Sequence, residues 1–181
     1  MRSLEVPLRS ARALGRRLCA WPRSVSLALC VAWYALIWLS SSRPGSSEPA
    51  SLPWQILSNS AHAPLFGLWA AWLSLLAPRR AGWPYLRGVA RSAVLFAVAV
   101  GGLLDELHQH LGARGRDFSV LDIATDLVGA WLALQLVALA GDEHARGRHW
   151  LAALVCAALG SFAAGACATL VPRCFPGVGW L

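Results

Sequence analysis

Charge is scarce in this chain. Only 14% of its 181 residues are Asp, Glu, Lys or Arg, against roughly a quarter in a soluble domain. Lysine is missing altogether, so all sixteen basic residues are arginine. With 57% apolar residues and ten tryptophans, this shortage excludes a soluble globular domain and a disordered tail. Cysteines occur at 19, 30, 156, 167 and 174, with no C-x-x-C pair among them. That spacing argues against a zinc site or a disulfide framework, and Cys30, Cys156 and Cys167, inside apolar runs, read as small core residues. Also lacking are G-x-S-x-G, H-E-x-x-H and a glycine loop able to cradle phosphate, so the commonest hydrolase, metalloprotease and nucleotide signatures have no support. The net charge of +7 resembles that of a nucleic-acid binder. The arginines flank apolar runs, however, and do not stripe one face, so no nucleic-acid partner is expected.

What the chain does contain is apolar runs of membrane length. About 20 such residues cross a bilayer as a helix. Five stretches qualify, at residues 24–41, 57–77, 88–108, 118–140 and 150–171. Pro78, Pro84, Gly141 and Pro172 sit in the gaps and suit helix ends, while 43–53 is rich in Ser and Pro and reads as a loop. The fold class expected is therefore all-α: a polytopic membrane helix bundle of about five transmembrane helices. The first span follows basic residues and offers a small Ser40-x-Ser42 pair, as a signal peptide does. Its length and the residues Trp33, Tyr34, Ile37 and Trp38 near its end favour a retained span.

Arginine placement sets the expected orientation. With the N-terminus inside, twelve arginines (2, 9, 12, 16, 17, 23, 79, 80, 87, 91, 146 and 148) lie on the inner side, and four (43, 114, 116 and 173) on the outer. The positive-inside rule selects this arrangement. Residues 1–23 then form a basic inner segment, 24–140 a four-helix membrane unit, and 141–181 a loop, a fifth helix and a short outer tail. Leu4, Leu8, Ala11, Leu14 and Leu18 recur at helical spacing between arginines. A basic amphipathic helix on the inner headgroups is one reading of this, and a plain positive anchor is the simpler one.

Ionisable groups inside spans are expensive and default to functional candidates. Nearly all of them here fall at one level, the outer ends of the second, third and fourth spans. They are His62; Asp105, Glu106, His108, Gln109 and His110; Arg114, Arg116 and Asp117 in the loop; then Asp122 and Asp126. The uninterrupted apolar run 92–104 is only 13 residues long. At 1.5 Å per residue it falls short of a ~30 Å hydrocarbon core, so the helix carries Asp105 and Glu106 near the membrane edge. Asp122, Thr125, Asp126, Gly129 and Ala133 share one helical face. A carboxylate such as Asp126 must find a partner there or take up a proton, and Arg116 is the nearest strong candidate. Gly129 would let a neighbouring helix approach closely. The plainer alternative is a buried network that only fixes helix register. No metal or cofactor is expected; His108 and His110 lie two apart and read as interfacial.

The stretch DELHQHLGARGRDFSVLDIATDLVGA resembles the signature of the VanZ-like membrane proteins. In that family a glutamate and a glutamine end one helix, followed by an arginine, a serine, an aspartate, an asparagine or aspartate, and a glycine. Here these read Glu106, Gln109, Arg116, Ser119, Asp122, Asp126 and Gly129. The upstream family motif pairs a charged doublet with a histidine and an aromatic. Here His62 and Phe66 are in place, but Ser58 and Asn59 stand where the doublet is usual, which removes a cation. The resemblance covers roughly 24–139. It implies a multi-pass protein of the bacterial cytoplasmic membrane, in a family similar to a protein linked to resistance to teicoplanin, a lipoglycopeptide; the arginine count is what places the site on the outer side.

The reading preferred from these residues is a binding protein for a lipid headgroup, a lipid-linked wall precursor or a lipoglycopeptide. Arg116 would pair an anionic group, with Gln109, Ser119, Asp126 and His62 completing the site. The alternative is a membrane-embedded hydrolase or transferase on a lipid-linked phosphate or sugar, with Glu106 or Asp105 as general acid or base and Asp122 orienting His62. Membrane lipids or lipid-linked envelope precursors are the expected partners. A transporter is disfavoured, because the polar residues stop at one level and offer no continuous path.

Overall fold

A computed structural model describes residues 5–42, 51–112 and 118–175. The described chain is helical, with one very short hairpin. Its elements are α1 (Glu5–Cys19), α2 (Arg23–Ser41), α3 (Leu52–Ser74), β1 (Arg79–Arg80), β2 (Trp83–Pro84), α4 (Val89–Gly112), α5 (Val120–Gly141) and α6 (Gly147–Cys174). Each expected span coincides with one helix from α2 to α6. The ends move by a few residues for local reasons. Pro53 sits at the start of α3, where its missing N–H leaves no helix bond unmade. The side-chain oxygen of Ser119 accepts the Asp122 N–H and caps α5.

Three of these helices, α2, α5 and α6, are long and apolar enough to cross a membrane. Helices α3 and α4 are as long, at 23 and 24 residues. They are more polar, because Gln55, Asn59 and His62 on α3 and Arg91, Asp105 and Glu106 on α4 interrupt their apolar runs. Much of the apolar surface has no protein partner. Leu27, Val31, Leu36 and Leu39 on α2, Phe96 and Leu103 on α4, and Leu151, Val155, Leu159 and Phe162 on α6 all face outward. Such surface in water would drive aggregation, whereas in lipid it is solvated.

The bundle is organised around α3 and α5, the most extensive helix pair. Gly129 makes that approach possible, since a Cβ there would overlap the backbone of Ala63. Gly67 faces the Gly129 carbonyl from the other side, with an added Cβ only 2.9 Å from it. Helix α6 packs on both members of the pair, and Gly165 seats it against Ser60. The Asn59 amide donates to Thr169 Oγ1 at 3.0 Å across the same contact. Because α6 touches the bundle through Gly165, Ala168 and Thr169, its remaining sides face outward. Cys156 and Cys167 are therefore exposed rather than core residues, while Cys30 is buried as expected.

On the opposite flank α2 packs against α3 and α4. Two indoles fasten it to α3: Trp33 donates to the Leu65 carbonyl at 2.9 Å and Trp69 to the Cys30 carbonyl at 3.1 Å. Tyr34 reaches α4, donating to the Gly101 carbonyl at 2.9 Å. The core joins Ile37, Phe66, Trp69, Val94, Val98 and Leu134.

Helix α1 closes the end of the bundle where α4 begins and α5 finishes. Leu8 is fully buried, and the helix touches α5, α6 and β2. Arg12 caps α5, with Nε donating to the Ala140 carbonyl at 3.0 Å and a terminal nitrogen to the carbonyls of Asp142 and of Ala145, the latter at 3.1 Å. These carbonyls lie at or just past the end of α5, where no later helical N–H can satisfy them. The leucine spacing thus marks a docked helix rather than a bare anchor. Between α1, α3, α5 and α6 lies an apolar cavity of about 680 Å³. In the hairpin, Ala81 and Gly82 both have positive φ, 51° and 75°, the backbone of a type I′ turn. Trp83 then lies against Gly15 and Gly141 and donates to the Val137 carbonyl at 2.9 Å.

Candidate functional site

At the other end of the bundle, four helices bring polar side chains together. The end of α2 supplies Ser41 and Ser42, the first half of α3 supplies His62, the last turns of α4 supply Asp105, Glu106 and Gln109, and the start of α5 supplies Ser119, Asp122 and Asp126. Alternating chain direction puts these ends at one level. The packing that holds them is the α3–α5 contact at Gly129, one turn below Asp126. Asp105, Glu106, Gln109 and Asp126 are all at most 2% exposed. An apolar bundle that buries three carboxyl groups this fully must satisfy them or carry the penalty.

Most are satisfied by named partners. His62 Nδ1 lies 3.1 Å from Asp126 Oδ1, joining α3 to α5. The His62 ring runs parallel to Phe66 one turn on, at a centroid distance of 6.3 Å. Asp126 also leans on α4, where Gly102 leaves room; a Cβ there would come 2.7 Å from Asp126 Oδ2. Asp105 accepts from Ser41 Oγ and from Gln109 Nε2, the latter at 2.8 Å. Glu106 Oε2 accepts the Ser119 N–H at 2.9 Å. Ser119 therefore serves twice, its backbone holding Glu106 and its hydroxyl holding the start of α5. Thr125 Oγ1 donates back to the Leu121 carbonyl at 2.9 Å, which takes its hydroxyl out of the site.

Glu106 Oε1 is buried and has no hydrogen-bond partner among the described residues. An acceptor left in this state costs its full desolvation penalty. The described side chains of the cluster offer acceptors in excess: four carboxyl groups against one imidazole, one amide and the Ser41 hydroxyl. What this arrangement can hold is a donor, such as a hydroxyl, an amide N–H or an ammonium group. Among the described residues, no three His, Cys, Asp or Glu side chains converge as metal ligands.

The structure brings together His62, Asp105, Glu106, Gln109, Ser119, Asp122 and Asp126 from the sequence-derived set. It changes one pairing. Asp126, not Asp122, orients His62, because Asp126 lies a turn deeper, level with the histidine. Arg116, the partner expected for Asp126, lies with Arg114 and Asp117 outside the described residues. Of the two interfacial histidines, His110 is exposed, whereas His108 stacks on Trp38 at 4.0 Å and its Nε2 lies 2.8 Å from Ser42 Oγ.

Sequence reasoning missed the contribution of α2. Ser41 is buried against Asp105, yet Ser40 to Ser42 read only as a possible cleavage site. Their position at the same level as the carboxylates was the available signal. Gly102 was missed as well; a glycine one turn below two acids marks where a neighbouring polar side chain can press in. No protein-family model matches the chain, and no curated protein or solved structure is similar to it.

Proposed function

We propose that the chain is a multi-pass protein of the bacterial cytoplasmic membrane, and that its polar cluster binds the headgroup of a lipid, a lipid-linked wall precursor or a lipoglycopeptide at the outer leaflet. In this reading α2 to α6 all cross the bilayer, with α1 inside. Helices α3 and α4 are accepted as spans because His62, Asp105, Glu106 and Gln109 lie in the cluster and are largely enclosed by neighbouring helices, which is how a membrane bundle tolerates them, while Arg91 lies near the opposite end of α4. The arginine bias between the two sides supports the orientation. The VanZ-like motif spans the same residues and supports the envelope assignment.

The observation that carries this reading is the buried Glu106 oxygen that has no hydrogen-bond partner among the described residues. A network that only fixed register would be expected to pair its buried acceptors. A site waiting for a ligand leaves one open. A headgroup hydroxyl or ammonium would complete Glu106, while His62 and Gln109 supply further hydrogen bonds and Arg116, from the neighbouring loop, a countercharge for phosphate. The test is thermal stability of the purified protein against phosphatidylethanolamine, phosphatidylglycerol, undecaprenyl phosphate, a lipid-linked wall precursor and teicoplanin. At least one should stabilise the wild type and fail with Glu106→Gln. No stabilisation across the panel would refute the reading.

A second reading, a membrane-embedded hydrolase or transferase on a lipid-linked phosphate or sugar, draws on the His62–Asp126 pair. A carboxylate at 3.1 Å holds an imidazole in one tautomer and orientation, as a general base requires. Turnover abolished by Asp126→Asn and by Glu106→Gln would favour it. Turnover that survives both would exclude it.

A further inference from the structure

The opposite end of the bundle carries a second cleft, built from different chemistry. It lies between the hairpin, the start of α4 and the end of α5, with a volume of about 860 Å³. Arg80, Arg87 and Arg91 line it together with Tyr85 and Gln135. Arg80 and Arg87 are exposed, and the Arg80 guanidinium rests over the Tyr85 ring at 5.8 Å. Among the described residues none of the three arginines has a carboxylate within ion-pair distance. Asp142 stands at the rim, but its Oδ1 accepts the His144 N–H at 2.9 Å.

Arg91 is the telling residue. Its Nε is buried and has no acceptor among the described residues, and a terminal nitrogen reaches Gln135 Oε1 only at 3.4 Å. A guanidinium presents its donors as a rigid fork, and here part of that fork is unspent. The backbone adds to it. Gly88 precedes α4 with φ of 52°, and its carbonyl accepts the Ser92 N–H. A glycine offers no side-chain oxygen to cap the helix, and the first turn of α4 contains no acid. The open N–H groups and the positive end of the helix dipole therefore also favour an anion at the cleft.

We propose that this cleft binds the phosphate of an anionic phospholipid headgroup. Phosphate is the group that matches forked guanidinium donors and free backbone N–H groups together. The lipid, rather than free phosphate, is indicated by the remaining lining: Pro84, Leu86 and Leu139 form an apolar wall beside the arginines. Trp83 and Tyr85 are the residue types that sit at headgroup level. Basic pockets between helices on the cytoplasmic side are suited to such headgroups. The proposal rests on the chain spanning a membrane, but not on any function of the Glu106 cluster.

The test uses the full chain in neutral detergent, followed by thermal unfolding. Phosphatidylglycerol, phosphatidylcholine with the same acyl chains, and sodium phosphate at matched ionic strength are titrated separately. Phosphatidylglycerol should raise the melting temperature, and the other two should not. Replacing the exposed pair, Arg80→Gln with Arg87→Gln, should weaken the response about five-fold per arginine, about 25-fold together, without disturbing the fold. Adding Arg91→Gln should abolish it. Equal stabilisation by phosphatidylcholine, an unchanged response in the exposed double variant, or a full response to phosphate alone would each overturn the proposal.

Discussion

Gly129→Ala is the substitution that strains this fold most directly. The new methyl would overlap the Ala63 backbone, which cannot rotate aside as a side chain can. The α3–α5 pair must instead separate by something near 1 Å. A gap of that size forfeits a quarter to a half of each dispersion contact, at about 0.1–0.2 kcal/mol per atom pair. For about 50 pairs, the complement of one buried leucine, the loss is roughly 1–5 kcal/mol. Alanine returns up to about 1 kcal/mol in helix propensity. The net expectation is a destabilisation of about 1–3 kcal/mol, the range usual for overpacking. Gly160→Ala is the control, because a Cβ there meets only the end of the Leu132 side chain, at 3.1 Å; that change should be neutral or stabilising. Unfolding in mixed micelles of rising denaturing-detergent fraction measures both. Equal stability of the two variants would refute the close approach of α3 and α5, and with it the geometry that sets His62 against Asp126.

Further expectations follow from single residues. Arg12→Ala removes charged hydrogen bonds from the end of α5 and should cost about 1–3 kcal/mol, with faster hydrogen exchange in α1 and at 139–146. Ala81→Gly relieves a left-handed backbone at a non-glycine residue and should be neutral to about 1 kcal/mol stabilising, by the same unfolding assay; a loss above 1 kcal/mol would argue against the turn. Burial pushes the Cys19 thiol above its ordinary value of 9.0, against the opposing pull of Arg79. Since the thiolate is the reactive form, Cys19 should label with maleimide more slowly than exposed Cys174 at pH 8, and the gap should narrow as pH rises. The proposed envelope role predicts that expression in a sensitive host raises the inhibitory concentration of teicoplanin and not that of vancomycin. The Arg116→Ala, Glu106→Gln double variant should lose the effect at equal membrane levels.

The helices were legible because long apolar runs are written in composition. Runs of apolar residues bounded by proline and glycine leave few alternatives, and all five expected runs became helices. Helix α1 was legible from leucine spacing. Its docking was not, since Arg12 read as one more positive-inside residue and nothing local reveals that it caps a helix 128 positions away. The hairpin was invisible because two-residue strands have no periodicity to detect. The site's level in the bundle was legible from where ionisable residues interrupt apolar runs. Its pairings were not. Asp122 and Asp126 share one helical face, so spacing alone cannot say which meets His62; that depends on how far α3 slides along α5. The outward turn of Cys156 and Cys167 likewise depends on which face of a uniformly apolar helix finds the bundle.

The central claim, that the Glu106 cluster is a ligand site rather than a register network, is tested most directly by the stability of Glu106→Gln without ligand. Glutamine keeps the shape and an oxygen for the Ser119 N–H, and it removes a charge whose other oxygen has no described partner. Sites held for function are paid for in stability, so the variant should unfold at the same temperature as the wild type or higher. A clear fall in unfolding temperature would mean that the carboxylate already holds the helices together, and would contradict the account.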